Sequence, residues 1–169
     1  MDWIASLIPA LEILALMSVV VTDFSARLIS NKTCLFVAAL GVMNRTFAGP
    51  TQLGESLSVA AALFLLLMVM HHRRWIGGGD VKLLAALALG LPLVGLLQLL
   101  TIMALAGGVL AVAYLLMRLL PYPNRVPAGS SLLRRVYAVE RWRCLRRAPL
   151  PYGVAIACGG IWVLLSRGV

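Results

Sequence analysis

Apolar residues run almost unbroken through this chain and give way to polar clusters at only a few places. The first run extends from about Trp3 to Thr22, long enough as a helix to cross the hydrocarbon core of a bilayer. The polar stretch Asp23 to Lys32 follows, then a second run from about Thr33 to Phe47, closed by the turn signal Gly49-Pro50-Thr51-Gln52. A third run, about Leu53 to Met70, ends in His71-His72-Arg73-Arg74. From Asp80 to Leu120 the chain is nearly all apolar. As one helix that stretch would measure roughly 60 Å, about twice a bilayer, so it must fold back. Gly90-Leu91-Pro92 supplies the break and predicts spans over Asp80–Leu91 and Leu93–Leu119, with Gly107-Gly108 in the latter suited to close helix packing. A long polar segment, Pro121 to Pro149, precedes a last run from about Leu150 to Leu165. The pattern predicts an all-α integral membrane protein with six transmembrane helices, folded as a single domain over residues 1–169.

Composition agrees, with 62% hydrophobic residues and a mean hydropathy of +0.96. The start of the chain does not read as a cleavable signal, because Asp2 stands where a basic region would be. A net charge of +9 would suggest nucleic acid in a soluble protein. Here the cations are grouped by loop. Two fall in 23–32, two in 71–79, and seven in 121–149 (Arg125, Arg134, Arg135, Arg141, Arg143, Arg146 and Arg147). With six spans these alternate loops share one side, and the other side carries only Arg45 and Arg167. That is the distribution of cytoplasmic loops facing anionic lipid, with both termini outside, and no nucleic-acid partner is expected. Within the basic segment, Ser130-Ser131 predicts a capped helix through Arg147. Its apolar Leu132, Leu133, Val136 and Tyr137 fall on one side, which suits a helix lying on the anionic cytoplasmic leaflet, although Arg143 and Arg147 interrupt the face. Cys34, Cys144 and Cys158 have no metal-ligand spacing and read as small hydrophobes.

Candidate chemistry is scarce, which sharpens it. Asp23 ends the first run and Asp80 begins the fourth, and the charge distribution places both at the cytoplasmic face. An aspartate at the edge of hydrocarbon is a functional candidate. Two carboxylates in one site hold a single proton between them near neutral pH. One can then activate water while the other donates to a carbonyl oxygen, which is aspartic-peptidase chemistry and needs no metal or cofactor. Gly77, Gly78 and Gly79 would let an extended peptide backbone approach Asp80; a tight loop with Asp80 as a helix cap is the structural alternative. Glu12 lies about three helical turns before Asp23 on the same face and reads as a structural hydrogen-bonding group. His71 and His72 read as interfacial. A proton-coupled transporter using Glu12, Asp23 and Asp80 at staggered depths, or a catalytically silent subunit, are the competing classes.

Gly77-Gly78-Gly79-Asp80-Val81-Lys82 resembles the GxGDxK signature of the type IV prepilin peptidases, which belong to the GxGD intramembrane aspartyl proteases. In that family the first aspartate precedes a short basic loop closing in Ile-Pro-Asn; here the stretch from Asp23 closes in Ile29-Ser30-Asn31, with Ser30 in place of proline. Pro149-Leu150-Pro151-Tyr152-Gly153 is similar to the Pro-Phe/Tyr-Gly segment that opens the family's last helix. The resemblance implies a GxGD protease-like bundle that removes the basic leader of prepilins or pseudopilins at the cytoplasmic face of the inner membrane. It implies Asp23 and Asp80 as the catalytic pair, with Gly77 to Gly79, Lys82 and Asn31 in support. The chain resembles the minimal enzymes of tight-adherence (Flp-type) pili, and the archaeal preflagellin peptidases are also similar. The larger members' extra domain, with its Cys-x-x-Cys pairs, has no counterpart here, so methyl transfer is not expected. Docking of the basic segment to a pilus assembly protein is the alternative to its lying on lipid.

Overall fold

The computed structural model describes residues 2–119, 132–146 and 150–166 and contains seven helices among them. They are α1 (Asp2–Ala26), α2 (Asn31–Ala48), α3 (Pro50–His72), α4 (Gly78–Leu89), α5 (Leu93–Leu119), α6 (Leu132–Leu145) and α7 (Tyr152–Ser166). The expected opening of the polar segment, with Arg125, Ser130 and Ser131, and Arg147 near its end, lies outside the described residues. The chain divides into two units. One comprises Met1–Ala106 with Pro151–Val169, and the other comprises Gly107–Leu150.

Among the described residues, three helices are long and apolar enough to cross a membrane: α1 over Leu7–Ala26, α3 and α5. The remaining apolar stretches form shorter or more polar helices. α7 has 15 residues and α4 only 12, so α4 rises about 18 Å, well short of a bilayer core. α2 has 18 residues but starts with Asn31-Lys32 and carries Arg45 near its end.

The first unit is built around α4. It packs chiefly on α2 and α3 and also on α7, while α1 packs on α7 and α2. Half of α4 is buried, including Leu83, Leu84, Leu87 and Ala88. These join Leu16 and Val19 of α1, Val37 of α2, Leu63 and Leu67 of α3 and Ile156 of α7 in one core. Glycines set the closest approaches. A Cβ on Gly41 of α2 would stand 2.8 Å from the backbone nitrogen of Gly90. One on Gly159 of α7 would stand 2.7 Å from the Leu99 carbonyl oxygen of α5. Gly108, expected to mediate such packing, would have nothing within 4 Å of an added Cβ, and α5 is approached by α7 at Leu99 and Met103 instead.

Chain breaks follow local chemistry. α1 runs past Thr22 because nothing stops it until Arg27, which takes the left-handed conformation (φ 57°) usual for glycine after a helix. Asp23 therefore sits in the last turn of a helix rather than in a loop. Ser30 caps α2, accepting from the Lys32 N–H at 3.2 Å. Its φ of −69° is one that proline would also adopt, so the serine meets the same backbone requirement as the family proline. Gly49 (φ 126°) joins α2 to α3, with Pro50 opening the latter.

The second unit takes in the end of α5 and α6. The Tyr114 hydroxyl donates to Glu140, and Arg143 Nη1 pairs with Glu140 Oε1 at 2.7 Å. Arg143, which interrupts the apolar face of this helix in sequence, is thus held by an acid one turn earlier. Arg146 lies over the Trp142 ring at 4.1 Å.

Candidate active site

Asp80 is the third residue of α4, whose cap residue is Gly77. A glycine cap has no side chain to satisfy the first N–H groups of the helix. Asp80 compensates by folding back, taking a hydrogen bond from the Gly77 backbone. Its Oδ2 lies 3.0 Å from the point a Cβ on Gly77 would occupy. The sequence left Asp80 open between a cap and an active group. Here it is held by its own helix start and stays partly exposed.

Asp23 is more deeply enclosed, at 5% exposure. Its partner comes from the far end of the chain. The Val154 N–H donates to Asp23 Oδ2 at 3.3 Å. Gly153 lies so near that a Cβ there would stand 2.8 Å from Oδ2 and 2.9 Å from Cγ. Pro151, just before α7, offers no side-chain acceptor, so α1 supplies across the bundle the carboxylate that usually caps a helix from within. The positive end of the α7 dipole and the charge of Arg27 both act on this carboxylate.

The two aspartates therefore stand at two helix starts, α4 and α7, at one end of the same unit. They are close enough for the charge of Asp23 to act on Asp80. Ile29 lies between the two helix starts. A Cβ on Gly79 would meet its Cβ at 3.3 Å, and one on Gly153 its Cδ1 at 3.0 Å.

The other sequence candidates fall close by. Lys82 Nζ donates to Asn31 Oδ1 at 3.0 Å, tying α4 to the first residue of α2. Gly78 faces the His71 ring, whose Cε1 would lie 3.3 Å from a Cβ there. His71 Nδ1 also lies 2.9 Å from the Ile76 carbonyl oxygen, so this residue braces the turn before the glycines. Glu12 is elsewhere: buried, it faces Gly90 at the other end of α4, with Oε1 3.6 Å from a Cβ position there. Among the described residues no group of three or more His, Cys, Asp or Glu side chains could hold a metal ion. Sequence reasoning gave no role to Ile29, Val154 or Gly153. The signal for the last was present in Pro151-Tyr152-Gly153, a glycine in the first turn of a helix, where no chain reversal calls for one.

Two carboxylates at one site, near enough for the charge of one to act on the other, can on coming into contact share a proton, hold a water and polarise a carbonyl. No curated protein and no solved structure gives a match to the chain. A family model does: residues 10–112, which include Asp23, Asn31, the glycines, Asp80 and Lys82, match the type IV leader peptidase family, and the chain belongs to that family of peptidases.

Proposed function

We propose that this peptidase is an aspartic endopeptidase that removes the short basic leader from prepilin-like or pseudopilin substrates at the cytoplasmic face of the inner membrane. The observation that carries the reading is that Asp23 and Asp80, from different helices, stand at one end of the unit, each against a glycine and near enough for the charge of one to act on the other. One carboxylate takes a proton from water as its oxygen bonds to the scissile carbonyl carbon. The other, protonated, gives its proton to the carbonyl oxygen. The resulting diol collapses as the proton taken from water passes to the amide nitrogen and one diol hydroxyl returns its proton to the other carboxylate. The C–N bond breaks, leaving a carboxylic acid and a free amine, and the pair again holds one proton.

In this reading six segments lie in the bilayer: α1, α2, α3, α4, α5 and α7. The short α4 is enclosed by longer neighbours and need not match the hydrocarbon thickness alone. The basic loops face the cytoplasm, and α6 rests on anionic headgroups with its arginines. The minimal, Flp-type form of the enzyme is favoured. Glu12, facing Gly90 at the far end of α4, stands outside the chemistry.

The test is leader removal in membranes, using a reporter in which a short basic leader precedes a type IV pilin helix. Wild type is compared with Asp23→Asn and Asp80→Asn, which keep shape but remove the acid–base function. Loss of cleavage in each variant, at unchanged membrane abundance, is expected. Wild-type rates in either variant would refute the assignment.

A further inference from the structure

The matched family region ends at residue 112, yet Asp23 takes its described backbone hydrogen bond from residue 154. The Arg27 charge also acts on Asp23, and Asp23 on Asp80, but Arg27 and Asp80 both lie within the matched region. We infer that the first turn of α7, through the Val154 N–H and the bare face of Gly153, is a positioning element for Asp23, so that the working site includes a segment beyond the family match. The inference rests on the reading that Asp23 is catalytic.

Two independent observations carry it. The first is the hydrogen bond from Val154 to Oδ2. The second is steric. With a Cβ position 2.8 Å from Oδ2, Gly153 is the residue that lets the carboxylate lie against the helix start at all. The α1 side is fixed as well, since α1 packs extensively on α7 and Asp23 lies in its last, regular turn. A carboxylate held between a helix turn and a backbone N–H has one orientation, with Oδ2 turned to α7. The other oxygen is then the one presented to water. Positioning of this kind is worth large factors, because a misplacement near 1 Å costs about a hundredfold in rate.

Gly153→Ala tests this. The added methyl must push the Asp23 carboxylate off the α7 start. It also meets Ile29 Cδ1 at 3.0 Å, so a second variant separates the two effects. In the membrane assay with the leader–pilin reporter, kcat and KM are measured for wild type, Gly153→Ala, Ile29→Ala and the Ile29→Ala/Gly153→Ala double variant. The expected result is a fall in kcat of about a hundredfold for Gly153→Ala with KM within about twofold. The double variant should fall by a similar factor relative to Ile29→Ala alone. If Gly153→Ala does not accumulate in the membrane, the double variant against Ile29→Ala is the deciding pair, since it relieves the clash with Ile29. Wild-type kcat in Gly153→Ala, or recovery in the double variant to the level of Ile29→Ala, overturns the inference. So does a change confined to KM. Asp23→Asn in the same assay keeps the two questions apart. If it cleaves normally, the function reading fails and takes the inference with it. If it is inactive while Gly153→Ala is fully active, only the positioning role fails.

Discussion

Lys82 Nζ donates to Asn31 Oδ1 at 3.0 Å, joining the fifth residue of α4 to the first residue of α2. Asn31 follows Ser30 directly, so the Ser30 cap and the Lys82 bond together hold the α2 end of the short connection that carries Ile29. Lys82 is exposed and donates to Asn31, two residues beyond the Ile29 that lies between the two helix starts.

Because the two side chains act through one bond, Asn31→Ala and Lys82→Met should have equal effects that do not add. An exposed charge-assisted bond is worth about 1 kcal/mol, so each variant should lose roughly fivefold in kcat/KM. The double variant should lose no more than either single. Full additivity, or inactivation by Lys82→Met alone, would show that Lys82 does something Asn31 does not.

The contact between Gly41 and Gly90 predicts a stability effect. A methyl on either would meet backbone at 2.8–2.9 Å, which no rotamer change relieves, so α2 and the end of α4 would have to part. Gly41→Ala and Gly90→Ala should each destabilise by about 1–3 kcal/mol, seen as a lower unfolding midpoint in a common detergent. Gly108→Ala should leave the midpoint unchanged or raise it by an amount matching about 0.5–1 kcal/mol, since open space surrounds Gly108 and alanine is the better helix former.

That contrast also shows what sequence could and could not reveal. Runs of apolar residues locate helices well, because burial and backbone satisfaction in lipid leave little choice of secondary structure. The helix start at Leu93, after the Gly90-Leu91-Pro92 break, agrees to the residue. Periodicity does not say which glycine meets which backbone: Gly108 would meet nothing within 4 Å, while the close backbone approaches fall at Gly41, Gly90 and Gly159. The aspartates were legible because charge is costly near hydrocarbon and only two stood at run ends. The support of Asp23 by Val154 was not, since it links residues 131 positions apart through a backbone N–H, which every residue except proline carries. Ile29 stood in sequence only as part of the Ile29-Ser30-Asn31 resemblance, because the neighbours an isoleucine packs against are not written there.

In the second unit, Glu140 gathers Tyr114 and Arg143 and is itself almost fully buried. Removing a buried acceptor costs more than removing one of its donors, because the donors lose a common partner. Glu140→Ala should therefore expose α6 to trypsin at Arg141, Arg143 and Arg146 faster than Tyr114→Phe does, with a destabilisation of about 1–3 kcal/mol. Equal digestion rates for wild type and Glu140→Ala would show that this cluster does not hold the helix.

The three glycines before Asp80 should rank by what each touches. At Gly77 a methyl would stand 3.0 Å from Asp80 Oδ2, in the space the folded-back carboxylate occupies. At Gly79 it would press on Ile29 at 3.3 Å, a branched side chain held between two helices. At Gly78 it would meet the edge of the His71 ring at 3.3 Å, and His71 is exposed and free to turn at the cost of its contact with Ile76. Gly77→Ala should lower kcat most, by about tenfold to a hundredfold if the carboxylate moves by a few tenths of an ångström to 1 Å. Gly79→Ala should be intermediate and partly restored by Ile29→Val, which removes a methyl from the crowded side chain. Gly78→Ala should stay within about twofold of wild type, since an exposed site that can adjust costs little. Cleavage rates of the same reporter settle the order. If Gly78→Ala is the most damaging, the site is shaped by the turn that His71 braces and not by the room left around Asp80.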